Sequence, residues 1–236
     1  MTAKKRKFWG WGAVGEGFND ADMQPYEAEY ARIFGVDGFS VDPFPKAEEI
    51  SLQAPRLRIP ESLDAVLSAD HWERLVHTFG RAFRHAPDLV AFPRQGQGAI
   101  DLLDWCTRVK AAAIPFGGGS SVVGGVHPDV GEGYAGTVSI DLRLMNKVLE
   151  VDHASRAARI QAGTYGPELE DQLRPHKLTF RHYPQSFQYS TLGGWLATRS
   201  GGHFATLYTH IDDLVESMRV VTPAGVHDSF RLPGSG

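Results

Sequence analysis

The residues best suited to chemistry lie at 111–125, where a short apolar run breaks into a loop that carries five glycines. Gly117, Gly118 and Gly119 stand together, and Ser120 and Ser121 follow directly. Because glycine has no Cβ and adopts backbone angles that are barred to other residues, successive N–H groups can converge on one anion. The serine hydroxyls add donors at the edge of the loop. This pattern predicts a cradle for a diphosphate.

An ordinary surface turn is the alternative interpretation, since glycine is the usual residue of loops. The apolar run before the loop and Pro115 at its start favour a shaped binding loop. The loop lacks the lysine of the Walker motif GxxxxGK[ST]. The pattern GxGxxG occurs twice, at 10–15 and 131–136. Neither match follows a predicted strand and opens a helix, so we interpret neither as a Rossmann turn.

A second unusual stretch, 184–204, repeats small hydroxyl residues and paired glycines. It fits a tight helix-to-sheet contact, where glycine permits close approach, and equally a second wall of a cofactor cleft. Arg199 could meet a phosphate or ring carbonyl, or form an ordinary salt bridge. His203 and His210 have no HExxH motif or Cys/His cluster beside them, so we interpret both as structural or surface histidines and predict no metal site.

The chain has 236 residues, of which 42% are hydrophobic. This composition is typical of a globular protein with a hydrophobic core. No run approaches the ~20 apolar residues of a membrane span, and the basic start has no apolar segment typical of a secretory signal. A formal charge of -4 gives no field that would attract nucleic acid. The single Cys106 cannot form an internal disulfide, which favours a reducing, cytoplasmic location, and its helical context predicts a buried structural thiol.

Two kinds of architecture follow from the hydrophobic patterns. A strand at 89–92, a helix at 99–110 and a strand at 111–115 predict a β-α-β unit with parallel strands, whose loop leaves the carboxyl end of a strand. A helix is predicted at 25–34, and a long helix from Ser62 to Phe83 with a break, if any, near Asp70. Later segments predict a meander of strands with one helix, which we assign to a different lobe. These segments are 137–142, 148–151, 158–162 and the helix 166–173.

We therefore divide the chain into an N-terminal irregular and helical segment at 1–60, a first lobe at 61–126 and a second lobe at 127–236. Residues 35–60 are predicted to be a connecting stretch with little regular structure. Trp9 and Trp11 are expected to dock onto the protein body or onto a second subunit, because exposed indoles leave a large apolar surface in water.

The motifs together resemble the FAD-binding domain of the vanillyl-alcohol oxidase and p-cresol methylhydroxylase (PCMH) superfamily, and in particular the alkylglycerone-phosphate synthase family. The matches in chain order are Trp-Gly-Trp-Gly at 9–12, the glycine loop at 114–122, Ser-Ile-Asp-Leu at 139–142 followed by Met145 and Asn146, 185–191, Gly-Gly-Trp at 193–195, 198–201 and 211–215. The resemblance implies the fold class α+β, a PCMH-type FAD-binding domain of two α/β lobes, with the C-terminal cap domain missing from these residues.

The resemblance implies two sets of FAD-binding residues. The first set would hold the diphosphate of FAD, and the second set would approach the flavin ring and its ribityl chain. The first set is Pro115, Phe116, Gly117, Gly118, Gly119, Ser120 and Ser121. The second set is Gln185, Ser186, Phe187, Gln188, Tyr189, Ser190, Thr191, Thr198, Arg199, Ser200 and Gly201. Gln185 departs from the aspartate that is usual there. Members with a bicovalent flavin carry Arg-x-Gly-Gly-His within the phosphate loop, whereas here that pattern lies at 199–203, so we predict non-covalent FAD.

The resemblance implies an enzyme that exchanges an acyl group for a fatty alcohol on glycerone phosphate through a flavin adduct, without net redox change. It would act on a small, lipid-like substrate in ether lipid biosynthesis. A flavin-linked oxidase or dehydrogenase of 2-hydroxy acids or alcohols is the nearest alternative, and a nucleotide-binding module without catalysis is another. No catalytic side chain is assigned, because the family's catalytic residues belong to the cap domain. A homodimer is a further expectation.

Overall fold

The computed structural model describes residues 6–7, 13–16, 20–36, 46–60, 63, 65–78, 83–207 and 210–231. The elements in chain order are α1 (Asp20–Phe34), β1 (Ala65–Ser68), α2 (His71–Val76), β2 (Leu89–Pro93), α3 (Gly96–Val109), β3 (Ala111–Phe116), β4 (Gly136–Asp141), β5 (Val148–Asp152), β6 (Ala157–Ile160), α4 (Gly166–Leu173), α5 (Leu192–Ala197), β7 (Arg219–Thr222) and β8 (Gly225–Asp228). Trp9 and Trp11 lie outside the described residues.

A four-stranded sheet in the order β1-β2-β4-β3 carries the glycine loop. The predicted β-α-β unit is confirmed as a strand, a helix and a strand, but β2 and β3 are not neighbours. β4 lies between them and pairs in parallel with both. Its six residues are all buried, because a central strand has neighbours on both edges and side chains packed on both faces.

The placement of β4 corrects the sequence analysis, which grouped 137–142 with the later strands. A boundary at residue 126 would separate β4 from both of its hydrogen-bonded partners. The alternation Thr137, Val138, Ser139, Ile140 reads as a strand in either lobe, and only the pairing decides which sheet it joins.

The long helix predicted from Ser62 to Phe83 is wrong in its first part and at its end, since α2 stops at Val76 and residues 77, 78 and 83 are not helical. Residues 65–68 form β1, which pairs antiparallel with β2. The predicted break is real: the Asp70 carboxylate accepts hydrogen bonds from the backbone N–H groups of Trp72 and Glu73 and starts α2 there. An N-cap of this kind satisfies donors that the first turn of a helix leaves unpaired.

Among the described residues, two hydrophobic cores hold the elements around the site, and a smaller cluster surrounds Ile50 and Leu75. The first joins α3 to the sheet and includes Leu102, Trp105 and Cys106, whose three- and four-residue spacing places them on one face of the helix. The second joins α4, α5 and the β5–β6 hairpin, and includes Leu169 and Trp195. Cys106 is buried and burial raises the pKa of its thiol to about 11, which confirms the predicted structural thiol.

Candidate flavin site

The glycine loop begins where β3 ends, at the carboxyl edge of the parallel strands. Phe116 is the last residue of β3, and its register partner is Asp141 at the end of β4. Gly119 has φ 70° and Gly124 has φ 68°, a region that costs side-chain-bearing residues energy. The backbone therefore turns at two glycines immediately beyond the sheet, as expected of a loop that binds a ligand at this edge.

The backbone N–H groups from Gly117 to Val123 make no hydrogen bond with any described part of the chain. The carbonyl oxygens of the loop differ in this respect. Gly117 O accepts from the Tyr165 hydroxyl at 3.2 Å, and Gly118 O accepts from Arg6 Nη2 at 2.7 Å. Ser121 O also accepts, from Gly124 N at 3.4 Å. The loop thus keeps its N–H donors unused while three of its carbonyl acceptors are engaged, which is the arrangement an anion requires.

The loop lies directly against residues 189–191 of the second predicted stretch. A Cβ added at Gly118 would overlap the Tyr189 carbonyl and would lie 2.9 Å from Ser190 Cα, and a Cβ at Gly117 would overlap the Thr191 hydroxyl. Two of the three adjacent glycines therefore permit this approach, a role that the sequence analysis did not assign to them. The structure brings the two predicted walls into contact.

The second stretch is held in shape by the hydroxyl of Ser190. This hydroxyl donates to Ser186 O at 2.8 Å and accepts from Trp195 Nε1 at 2.6 Å. The hydroxyl of Thr191 accepts from Gly194 N and caps α5. These two side chains are committed to internal bonds, whereas Gln185 and Gln188 are exposed.

Residues 198–201 directly follow α5, and their side chains bond to residues outside the glycine loop. Arg199 has φ 49° and its Nε lies 2.8 Å from Asp212 Oδ2, so the salt bridge foreseen as its alternative is present. Ser200 Oγ lies 2.7 Å from His182 Nε2. Thr198 bonds back to Gly194 O within the helix end.

His182 is a candidate that the sequence analysis missed. It is buried, stacks edge-on against Trp195, and lines a cavity of about 230 Å³. The other lining residues are Phe180, Arg181, Tyr183, Gly202, Phe204, Ala205 and Leu214. Burial and, to a smaller extent, the nearby His210 lower the pKa of His182, so the ring is neutral at pH 7. A single histidine between aromatic residues gives no spacing signal that could have found it.

A buried charged group lies beneath the loop. His77 Nε2 lies 2.9 Å from Asp141 Oδ2 and its Nδ1 lies 2.6 Å from Glu73 O. Arg143 Nη2 contacts the same carboxylate oxygen at 2.6 Å. Burial alone would raise the pKa of Asp141, but the hydrogen bonds and charges of His77 and Arg143 outweigh it and the pKa is lowered. The His77 ring packs 4.1 Å from the Phe116 ring, so this network supports the last residue of β3.

No group of metal-binding side chains occurs in the described ranges, and none of their helices is long and apolar enough to cross a membrane. The glycine loop offers unpaired backbone N–H groups, whereas the aromatic cavity beside His182 has no residue of that loop in its lining. Unpaired N–H donors on adjacent residues fit the diphosphate of a dinucleotide.

Residues 87–228 match the FAD binding domain family, so this chain belongs to that family of flavoprotein domains. It is 37% identical over 213 residues to alkyldihydroxyacetonephosphate synthase of Dictyostelium discoideum, covering 86% of this chain and 34% of the relative. A solved structure of alkyldihydroxyacetonephosphate synthase superposes with a TM-score of 0.73 at 38% identity, covering 80% of this chain and 39% of the other.

A redox relative is also similar. The mitochondrial D-lactate dehydrogenase [cytochrome] of Arabidopsis thaliana is 30% identical over 168 residues, which cover 69% of this chain and 28% of that protein. The chain spans about a third of the length of these relatives. The α+β, PCMH-type fold implied by the sequence is confirmed.

Proposed function

We propose that this chain is the FAD-binding part of an alkylglycerone-phosphate synthase-like enzyme, which exchanges an acyl group for a fatty alcohol on glycerone phosphate. The observation that carries the proposal is the loop at 117–123, whose N–H groups are unpaired and whose Gly117 and Gly118 lie against residues 189–191. The similarity to alkyldihydroxyacetonephosphate synthases supports this substrate class over that of the redox relatives.

In this proposal, the residues from Pro115 to Ser121 hold the diphosphate through backbone N–H groups and serine hydroxyls. The stretches 185–191 and 198–201 form the wall toward the ribityl chain and flavin. Because the hydroxyls of Ser190 and Thr191 are engaged internally, they act here as shape-giving groups, and the exposed Gln185 and Gln188 offer the free side-chain donors. When bound, the flavin supplies the nucleophilic nitrogen of the exchange, and the protein supplies position and electrostatics.

We also propose that FAD is held without a covalent bond, since the glycine loop contains no histidine between 115 and 125. A cytoplasmic location is supported by the single, buried, free Cys106. A homodimer and a role in ether lipid biosynthesis belong to the same proposal.

The test begins with colour. The purified full-length protein should be yellow, and heat denaturation should release free FAD into the supernatant. Flavin that stays with the precipitate would refute the non-covalent assignment, and colourless protein that takes up no FAD on titration would refute the whole proposal, leaving no enzyme interpretation.

The second step separates synthase from oxidase. Exchange of a labelled fatty alcohol into acyl-glycerone phosphate is expected, with no reduction of an artificial electron-acceptor dye. The similarity to D-lactate dehydrogenase is the observation behind the alternative function, a flavin-linked oxidoreductase of 2-hydroxy acids. Dye reduction by hydroxy acids without alcohol exchange would establish that alternative instead.

A further inference from the structure

Two side chains from distant parts of the chain hold consecutive carbonyl groups of the glycine loop. Tyr165, just before α4, donates its hydroxyl to Gly117 O at 3.2 Å. Arg6, near the amino end, donates Nη2 to Gly118 O at 2.7 Å, and its guanidinium lies 5.3 Å from the centre of the Phe116 ring. A charge-assisted bond of this length is among the stronger hydrogen bonds in proteins.

Tyr165 carries the proton that it donates. Burial raises the pKa of Tyr165, and the opposing effect of the nearby Arg6 charge is smaller. The phenol is therefore neutral at pH 7 and its hydroxyl is a donor. Its position is fixed as well, because the backbone of Tyr165 bridges to Thr191.

The geometry of the peptide unit converts these two bonds into a direction for the N–H groups. None of the described peptide bonds is cis, and in a trans peptide the C=O of one residue and the N–H of the next point in opposite directions. A carbonyl of Gly117 held by Tyr165 therefore turns the N–H of Gly118 away from Tyr165. In the same way, Arg6 turns the N–H of Gly119 away from itself.

Such a constraint matters most at glycine, since residues without Cβ rotate their peptide planes at little cost. A loop whose donors rotate freely would have to order them at the moment of binding, which weakens affinity. Two fixed planes remove that cost before the ligand arrives.

We propose that Tyr165 and Arg6 are positioning residues that hold the N–H groups of Gly118 and Gly119 ready for the diphosphate of the dinucleotide. The inference rests on the proposed function, and it assigns to both side chains a part that needs no contact with the flavin ring.

The experiment compares the dissociation constants of FAD, ADP and riboflavin for the full-length protein freed of bound flavin. Tyr165→Phe removes one hydroxyl and keeps the ring. It is expected to weaken FAD and ADP about three- to tenfold, the usual effect of one neutral hydrogen bond, and to leave riboflavin unchanged because riboflavin has no diphosphate. Tyr134→Phe, at a half-exposed tyrosine outside the site, is the matched control and should change nothing.

A second series of variants tests the hydrogen bond from Arg6 to Gly118 O. It can be measured even if Tyr165→Phe does not fold. Arg6→Ala is expected to weaken FAD and ADP at least tenfold, and Arg6→Lys, which keeps a charged donor, should restore part of that loss. Equal weakening of all three ligands, or unchanged FAD affinity in both Tyr165→Phe and Arg6→Ala, would overturn the inference while leaving FAD binding intact. A wild-type protein that binds no FAD overturns the proposed function itself, and this inference with it.

Discussion

Replacing Gly118 by alanine tests the contact between the two walls of the site. The added Cβ would lie 2.7 Å from Tyr189 C and 2.9 Å from Ser190 Cα, and ordinary van der Waals contact begins at 3.4 Å. All of the groups it meets are backbone, so no flexible side chain can swing aside. The contact with Tyr189 C alone requires the loop and the 189–191 segment to separate by about 0.7 Å, and the Tyr189 carbonyl oxygen, which lies closer still, requires more.

Overpacking of this kind costs about 1–3 kcal/mol of unfolding free energy. We expect Gly118→Ala to lower the unfolding free energy by that amount in urea denaturation followed by tryptophan fluorescence. FAD affinity, measured by titration, should fall about tenfold or more, because 1.4 kcal/mol of lost contact corresponds to a factor of ten.

Gly125→Ala is the matched control in the same loop. Its added Cβ would meet Ser121 Oγ at 3.5 Å, an ordinary contact, and its φ lies outside the left-handed region. This variant should keep wild-type stability, with a small gain since alanine has less freedom in the unfolded chain. Equal stability and equal FAD affinity of Gly118→Ala and Gly125→Ala would refute the predicted clash between the loop and residues 189–191.

Two further predictions concern buried groups. Asp141→Asn leaves His77 and Arg143 without their shared counter-charge, so we expect a loss of about 3–5 kcal/mol in urea denaturation at pH 7. The pKa of Asp141 is lower in the folded protein than in the unfolded chain, where it is about 4. The stabilisation that its carboxylate provides is therefore fully present above the unfolded pKa and is lost as the pH falls through the folded pKa. The difference in unfolding free energy between wild type and Asp141→Asn should therefore shrink below pH 4, and a difference that grows there would contradict the assignment. Asp228→Asn is the control: it breaks an exposed pair with Arg219 and should have little effect at any pH. Cys106, the single cysteine, should resist a thiol reagent at pH 8 in the folded protein and react at once in urea, since burial raises its pKa to about 11. Equal rates in the two conditions would show that the thiol is accessible.

Local patterns predicted the elements around the site well. The strand at 89–92, the helix at 99–110 and the strand before the glycine loop lie within a few residues of β2, α3 and β3. Hydrophobic spacing and glycine chemistry act within a few residues along the chain, so they can be read without knowing the fold. The short β1 was mistaken for a helix because its apolar residues, Val66 and Leu67, also suit helical spacing.

The groups that complete the site could not be found in this way. Arg6 reaches Gly118 across 112 positions in the sequence, and Tyr165 reaches Gly117 across 48. His77 and Asp141, 64 positions apart, form their buried pair only because α2 packs on β2, the strand that neighbours β4. No sequence motif identifies such partners, because the residues adjacent to each of these side chains form no recognisable pattern.

The amino-acid sequence by itself determined that a glycine-rich loop follows a buried strand, and the order of its motifs determined the flavoprotein family. Tertiary structure alone decided that β4 lies between β2 and β3, that Gly117 and Gly118 serve close packing against 189–191, and that Tyr165 and Arg6 hold the loop carbonyls. The physical reason is range: backbone preference depends on adjacent residues, whereas the direction in which a peptide plane faces depends on whatever side chain the fold brings to its carbonyl.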